Sequence, residues 1–184
     1  MLVFLDFEAS SLGKHSYPIE VAWVFEDGRS ESYLIHPAPG WTDWDEQAEA
    51  IHRISRPHLL ANGSPHAVVA ARMVEELSGH DLLASAPSWD GKWMSALLRA
   101  AGLPRHSLRL RDSDAAHRAA AVAILGPIVP ADRLEDAIVD VLAKSEVRPP
   151  GQQPAHRALA DAEDERARWL CVQATAREFL ARAS

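Results

Sequence analysis

Two acidic residues stand two positions apart at the end of the first apolar segment of the chain. The run Leu2–Leu5 is unbroken and apolar, as is typical of a strand buried on both faces, and Asp6 and Glu8 follow it. Side chains two residues apart on a strand point to the same face, so we expect the two carboxylates to lie side by side. Ionised carboxylates beside an apolar core are costly and repel each other, and a divalent cation relieves both effects. The pair therefore predicts a metal site whose other ligands come from distant segments.

Two later acids and one histidine occupy the ends of predicted elements. Asp90 follows the fourth predicted strand, and Asp161 lies in the first turns of the last predicted helix. Taken alone, Asp90 also suits a helix N-cap, and Asp161 also suits the positive end of a helix dipole. His156 precedes Asp161 by five residues, and an imidazole titrates near neutrality, so it can accept a proton from water. Because active sites of open α/β sheets gather at the carboxyl ends of strands, we expect these side chains to converge.

Strands come first in the chain and then alternate with helices, which predicts one α/β domain with a mixed sheet. The predicted strands cover residues 2–5, 19–25, 32–36, 81–85 and 108–111. The predicted helices cover residues 64–78, 91–101, 115–125, 131–144 and 158–183, with short pieces at 46–52 and 56–60, and a loop at 145–155. Residues 26–29 carry an Asp-Gly hairpin signal between the second and third strands. Ser64 is the expected N-cap of the first long helix, with Pro65 at its first position.

Composition excludes several classes of protein. A chain of 184 residues with a single cysteine, Cys171, predicts one domain without an internal disulfide or a cysteine-based zinc site. The chain has no apolar run of 18 residues and no signal-peptide pattern at its start, so we expect a cytoplasmic protein without a membrane partner. The net charge of −7 argues against a broad basic surface that coats long duplexes, and it favours a short substrate contact.

Three segments together resemble the motifs of the DEDDh 3'-5' exonucleases. They are Asp6-Phe7-Glu8, Ser88-Trp89-Asp90 and the segment from His156 to Asp161, which has the His-x4-Asp spacing of that family. The family includes the DnaQ-like proofreading exonucleases, ribonuclease T and oligoribonuclease. The first motif is weak by itself, whereas the ordered triple is specific and spans nearly the whole chain.

The resemblance implies both a fold and a set of site residues. The implied fold is α/β and ribonuclease H-like, with helices on both faces of a five-stranded mixed sheet whose second strand is antiparallel to the rest. The implied ligands of two divalent ions, Mg²⁺ or Mn²⁺, are Asp6, Glu8, Asp90 and Asp161. His156 is implied as the general base, and the implied substrate contacts are Phe7, Ala9, Ser10, Leu12 and Trp89.

The chain departs from the family pattern at three positions near the motifs. Ala9 stands where the family often has threonine, Ala86 where it often has asparagine, and Trp89 where phenylalanine or tyrosine is usual. These departures leave all four metal ligands in place. They bear instead on the nucleotide contacts and on the choice of substrate.

The leading hypothesis is a metal-dependent exonuclease, consisting of one domain over residues 1–184, that removes nucleoside 5'-monophosphates from the 3' end of single-stranded DNA or RNA. One alternative is a catalytically silent module that binds nucleic acid or a protein. Another is a phosphodiesterase of dinucleotides and very short oligonucleotides. The expected partner is a single-stranded 3' end or a short oligonucleotide, and the residues leave open whether the protein acts alone, as a homodimer or beside a polymerase.

Overall fold

A six-stranded mixed sheet runs through the part of the chain that the computed structural model describes, residues 1–147 and 155–183. Its strands are β1 (Leu2–Ala9), β2 (Pro18–Phe25), β3 (Ser30–His36), β4 (Ser64–Pro65), β5 (Asp81–Ala84) and β6 (Leu110–Asp112). They lie side by side in the order β4-β3-β2-β1-β5-β6. Strand β2 is antiparallel to β1 and to β3, and the other neighbours are parallel. The predicted mixed sheet with an antiparallel second strand is confirmed, with one more strand than expected.

Seven helices accompany the sheet within the described residues. They are α1 (Glu46–His52), α2 (Arg56–Asn62), α3 (His66–Leu77), α4 (Pro87–Ala100), α5 (Ser113–Leu125), α6 (Ala131–Lys144) and α7 (Ala158–Ala183). The predicted bounds of α6 and α7 agree with the structure. Most of the loop predicted at 145–155 falls on residues 148–154, which lie outside the described residues. None of the helices in the described ranges is long and apolar enough to cross a membrane.

The extra strand corrects the predicted start of the first long helix. Ser64 and Pro65 pair with the end of β3 instead of opening that helix, and α3 begins at His66. The prediction was wrong because Ser64 and Pro65 are extended and pair with β3, so they cannot also form the first turn of a helix. Gly63 allows the close approach, since a Cβ atom there would lie 2.5 Å from the backbone nitrogen of His36.

Helix α4 also begins earlier than predicted. It starts at Pro87, a residue whose fixed φ suits the first turn of a helix, and not at residue 91. Asp90 therefore lies inside the first turn of α4 and is not its N-cap. This places the Asp90 side chain one helical turn beyond the carboxyl end of β5.

The two faces of β1 pack against different helices. Val3, Leu5 and Phe7 belong to a core cluster that includes α3 and α4 residues such as Met73 and Leu97. Phe4 points to the opposite face, where its ring centroid lies 6.0 Å from that of Trp169 on α7. Because side chains alternate along a strand, Asp6 and Glu8 share the face of Phe4 and are directed toward α7.

A second, smaller core joins three helices. Ala121 and Leu125 of α5 pack with Val141 of α6 and with Val172 and Ala176 of α7. The amino-terminal part of α7 contacts β1 and β2, and its later part is buried in this helical core. One continuous helix therefore connects the sheet to the helical core.

Candidate active site

Three of the four predicted metal ligands meet at the carboxyl end of β1. Asp6 and Glu8 come from β1, and Asp161 comes from the first turn of α7. One carboxylate oxygen from each residue lies within 4.8 Å of the other two. Three oxygen donors at this spacing form a group that one cation can bridge, and carboxylates are the ligands that Mg²⁺ prefers.

Asp90 lies beside this group. Its side chain is buried, and among the described residues its Oδ2 atom has no hydrogen-bond partner. Burial raises the pKa of Asp90 to about 7, although backbone N–H groups, including that of Phe7, act in the opposite direction. A buried carboxylate oxygen without a partner is costly, so a cation or an ordered water is the expected complement.

Burial, with electrostatic repulsion added to it, raises the pKa values of both β1 acids. Burial raises the pKa of Asp6 well above its ordinary value, and the nearby charges of Asp90 and Glu8 add to this effect. Burial also raises the pKa of Glu8 to about 8, helped by Asp161 and opposed by Arg157. The protein by itself therefore disfavours the fully ionised cluster. A bound cation removes that penalty, so the structure favours a cation-binding role for these acids.

The loop before α7 wraps around the Asp161 carboxylate. The backbone N–H groups of Ala155 and Arg157 each donate to one Asp161 carboxylate oxygen at 3.3 Å. Between these two donors, His156 adopts a left-handed backbone conformation with φ = 51°. A non-glycine residue in that conformation is strained, and such strain is often found at functional sites. The two hydrogen bonds fix the backbone on both sides of His156, whose side chain lines the same cavity as the acids.

An ion pair between a buried carboxylate and a half-exposed arginine, which sequence reasoning missed, fastens this loop to the sheet. Glu20 lies directly opposite Glu8 in the β1–β2 register, and its side chain is only 3% exposed. It accepts hydrogen bonds from Arg157 Nη2 at 2.7 Å, from Arg157 Nε at 3.1 Å and from the backbone N–H of Ala158 at 3.0 Å. The available signal was an acid within an otherwise apolar strand, because a buried charge requires a partner.

Glu165 is a further acid at the site that sequence reasoning did not assign. It stands four residues after Asp161, on the same face of α7, and lines the same cavity. Its Oε2 atom accepts a hydrogen bond of 2.6 Å from the hydroxyl of Ser113 on α5. The Glu165 charge also contributes to the raised pKa of Asp6. The i, i+4 spacing could have revealed this residue.

A cavity of about 490 Å³ opens over the acids. Of the predicted substrate contacts, Phe7, Leu12 and Trp89 line it. Leu12 is 69% exposed and Trp89 is 39% exposed, so both present apolar surface at the cavity. Ala9 and Ser10 are buried and do not line the cavity. The Ser10 hydroxyl instead accepts a hydrogen bond from the backbone N–H of Tyr17.

The loop that carries Leu12 is tied to helix α4. Lys92 Nζ donates to the carbonyl of Gly13 at 2.7 Å and to the hydroxyl of Ser16 at 2.9 Å. The indole N–H of Trp93 donates to the same hydroxyl at 3.0 Å. Lys92 Nζ also lies 5.0 Å from the centroid of the Trp89 ring. The cavity wall is therefore a connected unit in which α4 sets the position of the Leu12 loop.

Comparison with known proteins places this geometry in a known architecture. No protein-family model and no curated protein matches the chain. Solved structures of E. coli exonuclease I, by contrast, match the chain. A zinc-bound complex with single-stranded DNA aligns with a TM-score of 0.65 at 18% identity, over 98% of this chain and 42% of that chain. The chain has a ribonuclease H-like fold. This agrees with the fold implied by the three motifs.

Two further structures show the same ribonuclease H-like arrangement. E. coli exonuclease I in complex with a dA16 oligonucleotide aligns with a TM-score of 0.64 at 17% identity, over 98% of this chain and 42% of that chain. A product-bound exonuclease I aligns with a TM-score of 0.63 at 17% identity, over 98% of this chain and 46% of that chain. The chain thus spans less than half the length of the exonuclease I chains it matches.

Proposed function

We propose that residues 1–184 form a metal-dependent 3'-5' exonuclease domain that hydrolyses phosphodiester bonds at the 3' end of single-stranded nucleic acid. The products are nucleoside 5'-monophosphates. The observation that carries the proposal is the convergence of Asp6, Glu8 and Asp161 within 4.8 Å, in an open cavity that Asp90 and His156 also line. The similarity to exonuclease I, which was crystallised with single-stranded DNA, supports the choice of substrate class.

The residues at the site fit a pair of divalent cations. All four proposed ligands, Asp6, Glu8, Asp90 and Asp161, offer carboxylate oxygens, which suit Mg²⁺ or Mn²⁺. The raised pKa values of Asp6, Glu8 and Asp90 mean that a compensating positive charge favours the joint ionisation of these groups. When bound, such ions supply a hydroxide-like nucleophile and stabilise the leaving alkoxide.

The remaining side chains position the substrate and move a proton. His156 accepts the proton of the attacking water, because its imidazole lines the cavity beside Asp161. Leu12 and Trp89 contact the terminal nucleotide, and the Trp89 indole offers an aromatic face on which a base stacks. The Glu20–Arg157 pair ties the loop that carries His156 to β2, at the position that faces Glu8 of β1.

Digestion of 5'-labelled 20-mers of DNA and RNA tests the proposal. With Mg²⁺ or Mn²⁺ we expect a ladder that shortens from the 3' end, and with EDTA we expect none. Asp6→Asn and Asp161→Asn should abolish hydrolysis, whereas Glu163→Gln, an exposed acid on α7 outside the cavity, should leave it unchanged. Full activity in folded Asp6→Asn or Asp161→Asn protein would show that the acid cluster is not the catalytic centre.

A further inference from the structure

A second groove lies on the other side of helix α4. It has a volume of about 510 Å³, and its walls come from the first half of α4 and from the segment between α4 and β6. Four of its ten lining residues are basic or histidine, namely Lys92, Arg105, His106 and Arg109, and none is acidic. A groove without acids is unusual in a chain whose acids outnumber its lysines and arginines by 26 to 19.

The cations of this groove have no acidic partner among residues 1–147 and 155–183. Lys92, Arg105 and Arg109 form no ion pair with an acid in the described part of the chain, and both arginines are exposed. Elsewhere many arginines are paired, as Arg72 is with Glu31. Within the described part of the chain, the hydrogen bond of Arg105 goes to the neighbouring imidazole of His106, at 2.9 Å. The guanidinium groups therefore remain available to an external anion.

The groove adjoins the candidate active site through α4. Pro87, Gly91 and Ser95 line the groove and are spaced four residues apart, so they form one face of the helix. Trp89 and Trp93, also four residues apart, lie on another face of α4 and line the cavity over the acids. Lys92 stands between these faces: it lines the groove, and its ammonium group lies 5.0 Å from the Trp89 ring. Lys92 therefore adjoins the Trp89 side of the cavity over the acids and lines the same groove as the two arginines.

We propose that this groove, defined by Lys92, Arg105, His106 and Arg109, binds phosphates of the single-stranded substrate on the 5' side of the scissile bond. The proposal rests on the exonuclease function proposed above and extends it to a preference for strands longer than two nucleotides. Guanidinium groups bind phosphate in a bidentate manner, and an uncompensated pair of them attracts a polyanion even when the protein carries net negative charge.

Binding measurements with matched double variants test the groove. Arg105→Ala/Arg109→Ala removes two groove charges, and Arg133→Ala/Arg177→Ala removes two charges from α6 and α7 outside it. Fluorescein-labelled dT20 and U20 are titrated in EDTA at several salt concentrations. We expect the groove variant to bind about tenfold more weakly at low salt and its salt slope to fall by about 1.4, since each phosphate contact to a single strand contributes about 0.7. The control should match wild type, and equal weakening of both variants would overturn the proposal.

Hydrolysis separates failure of the groove from failure of the catalytic proposal. With Mg²⁺, the groove variant should lose about tenfold in kcat/KM on dT20. It should keep the wild-type kcat/KM on a thymidine dinucleotide, which is too short to reach both arginines. If wild type cleaves both substrates and the groove variant equals the control on dT20, the groove proposal is wrong and the catalytic one stands. If wild type cleaves neither substrate, the catalytic proposal fails, and the groove proposal fails with it.

Discussion

Replacing Glu8 by glutamine should stabilise the metal-free protein while it removes a proposed metal ligand. The pKa of Glu8 is raised from 4.5 to about 8 because burial and the nearby Asp161 and Glu20 oppose its charge. A carboxyl group of this kind favours the folded state most below pH 4.5, and it loses that contribution as the pH rises through 8. Glutamine has nearly the same shape and carries no charge, so the variant lacks this pH dependence.

The size of the effect follows from the shift in pKa. The stability difference between Glu8→Gln and wild type should grow by about 1.4 kcal/mol per pH unit from pH 5 to pH 8. At pH 7 the variant should therefore be more stable by about 3 kcal/mol, and at pH 4.5 the two proteins should differ little. The opposite trend would mean that the surroundings favour the ionised carboxylate.

Urea unfolding in EDTA at pH 5, 6, 7 and 8, followed by tryptophan fluorescence, measures the difference. Glu163→Gln, which removes an exposed acid from α7, is the control and should show no such pH trend. Added Mg²⁺ should raise the midpoint of the wild type more than that of Glu8→Gln, because a ligand stabilises the state to which it binds. A constant difference between Glu8→Gln and wild type at all four pH values would refute the role assigned to burial and repulsion at this carboxylate.

Two further substitutions test other parts of the structure. Glu20→Gln should lower kcat about tenfold or more and change KM little, because a weaker contact to Arg157 loosens the loop that carries His156, the proposed general base. Single-turnover hydrolysis measures the rate of the chemical step. A change in KM alone would contradict the prediction. Gly63→Ala should destabilise the protein by about 1–3 kcal/mol, because the new Cβ would lie 2.5 Å from the backbone nitrogen of His36; an unchanged urea midpoint would exclude the clash.

The sequence was sufficient wherever local pattern and tertiary structure agree. The apolar run before Asp6 specified β1, and the bounds of α7 followed from its long helical pattern. The same-face placement of Asp6 and Glu8 required only the two-residue period of a strand.

Long-range partners explain what the sequence did not reveal. The start of α3 was misplaced because Ser64 and Pro65 pair with β3, a contact that no local propensity encodes. The role of Glu20 depends on a residue 137 positions away in the chain, Arg157. By contrast, the omission of Glu165 was a failure to follow the helical spacing that begins at Asp161.

Because α7 is long, the helical core holds Asp161 in position although the buried residues of that core do not line the cavity over the acids. Val172 lies eleven residues beyond Asp161, or about 16 Å along the helix axis. A tilt of about 3.5° about that point would swing Asp161 by about 1 Å, a displacement comparable to those that reduce enzymatic rates about a hundredfold. Substitutions that create cavities at Ala121, Leu125 or Val141 should therefore displace Asp161 and lower the rate of the proposed reaction.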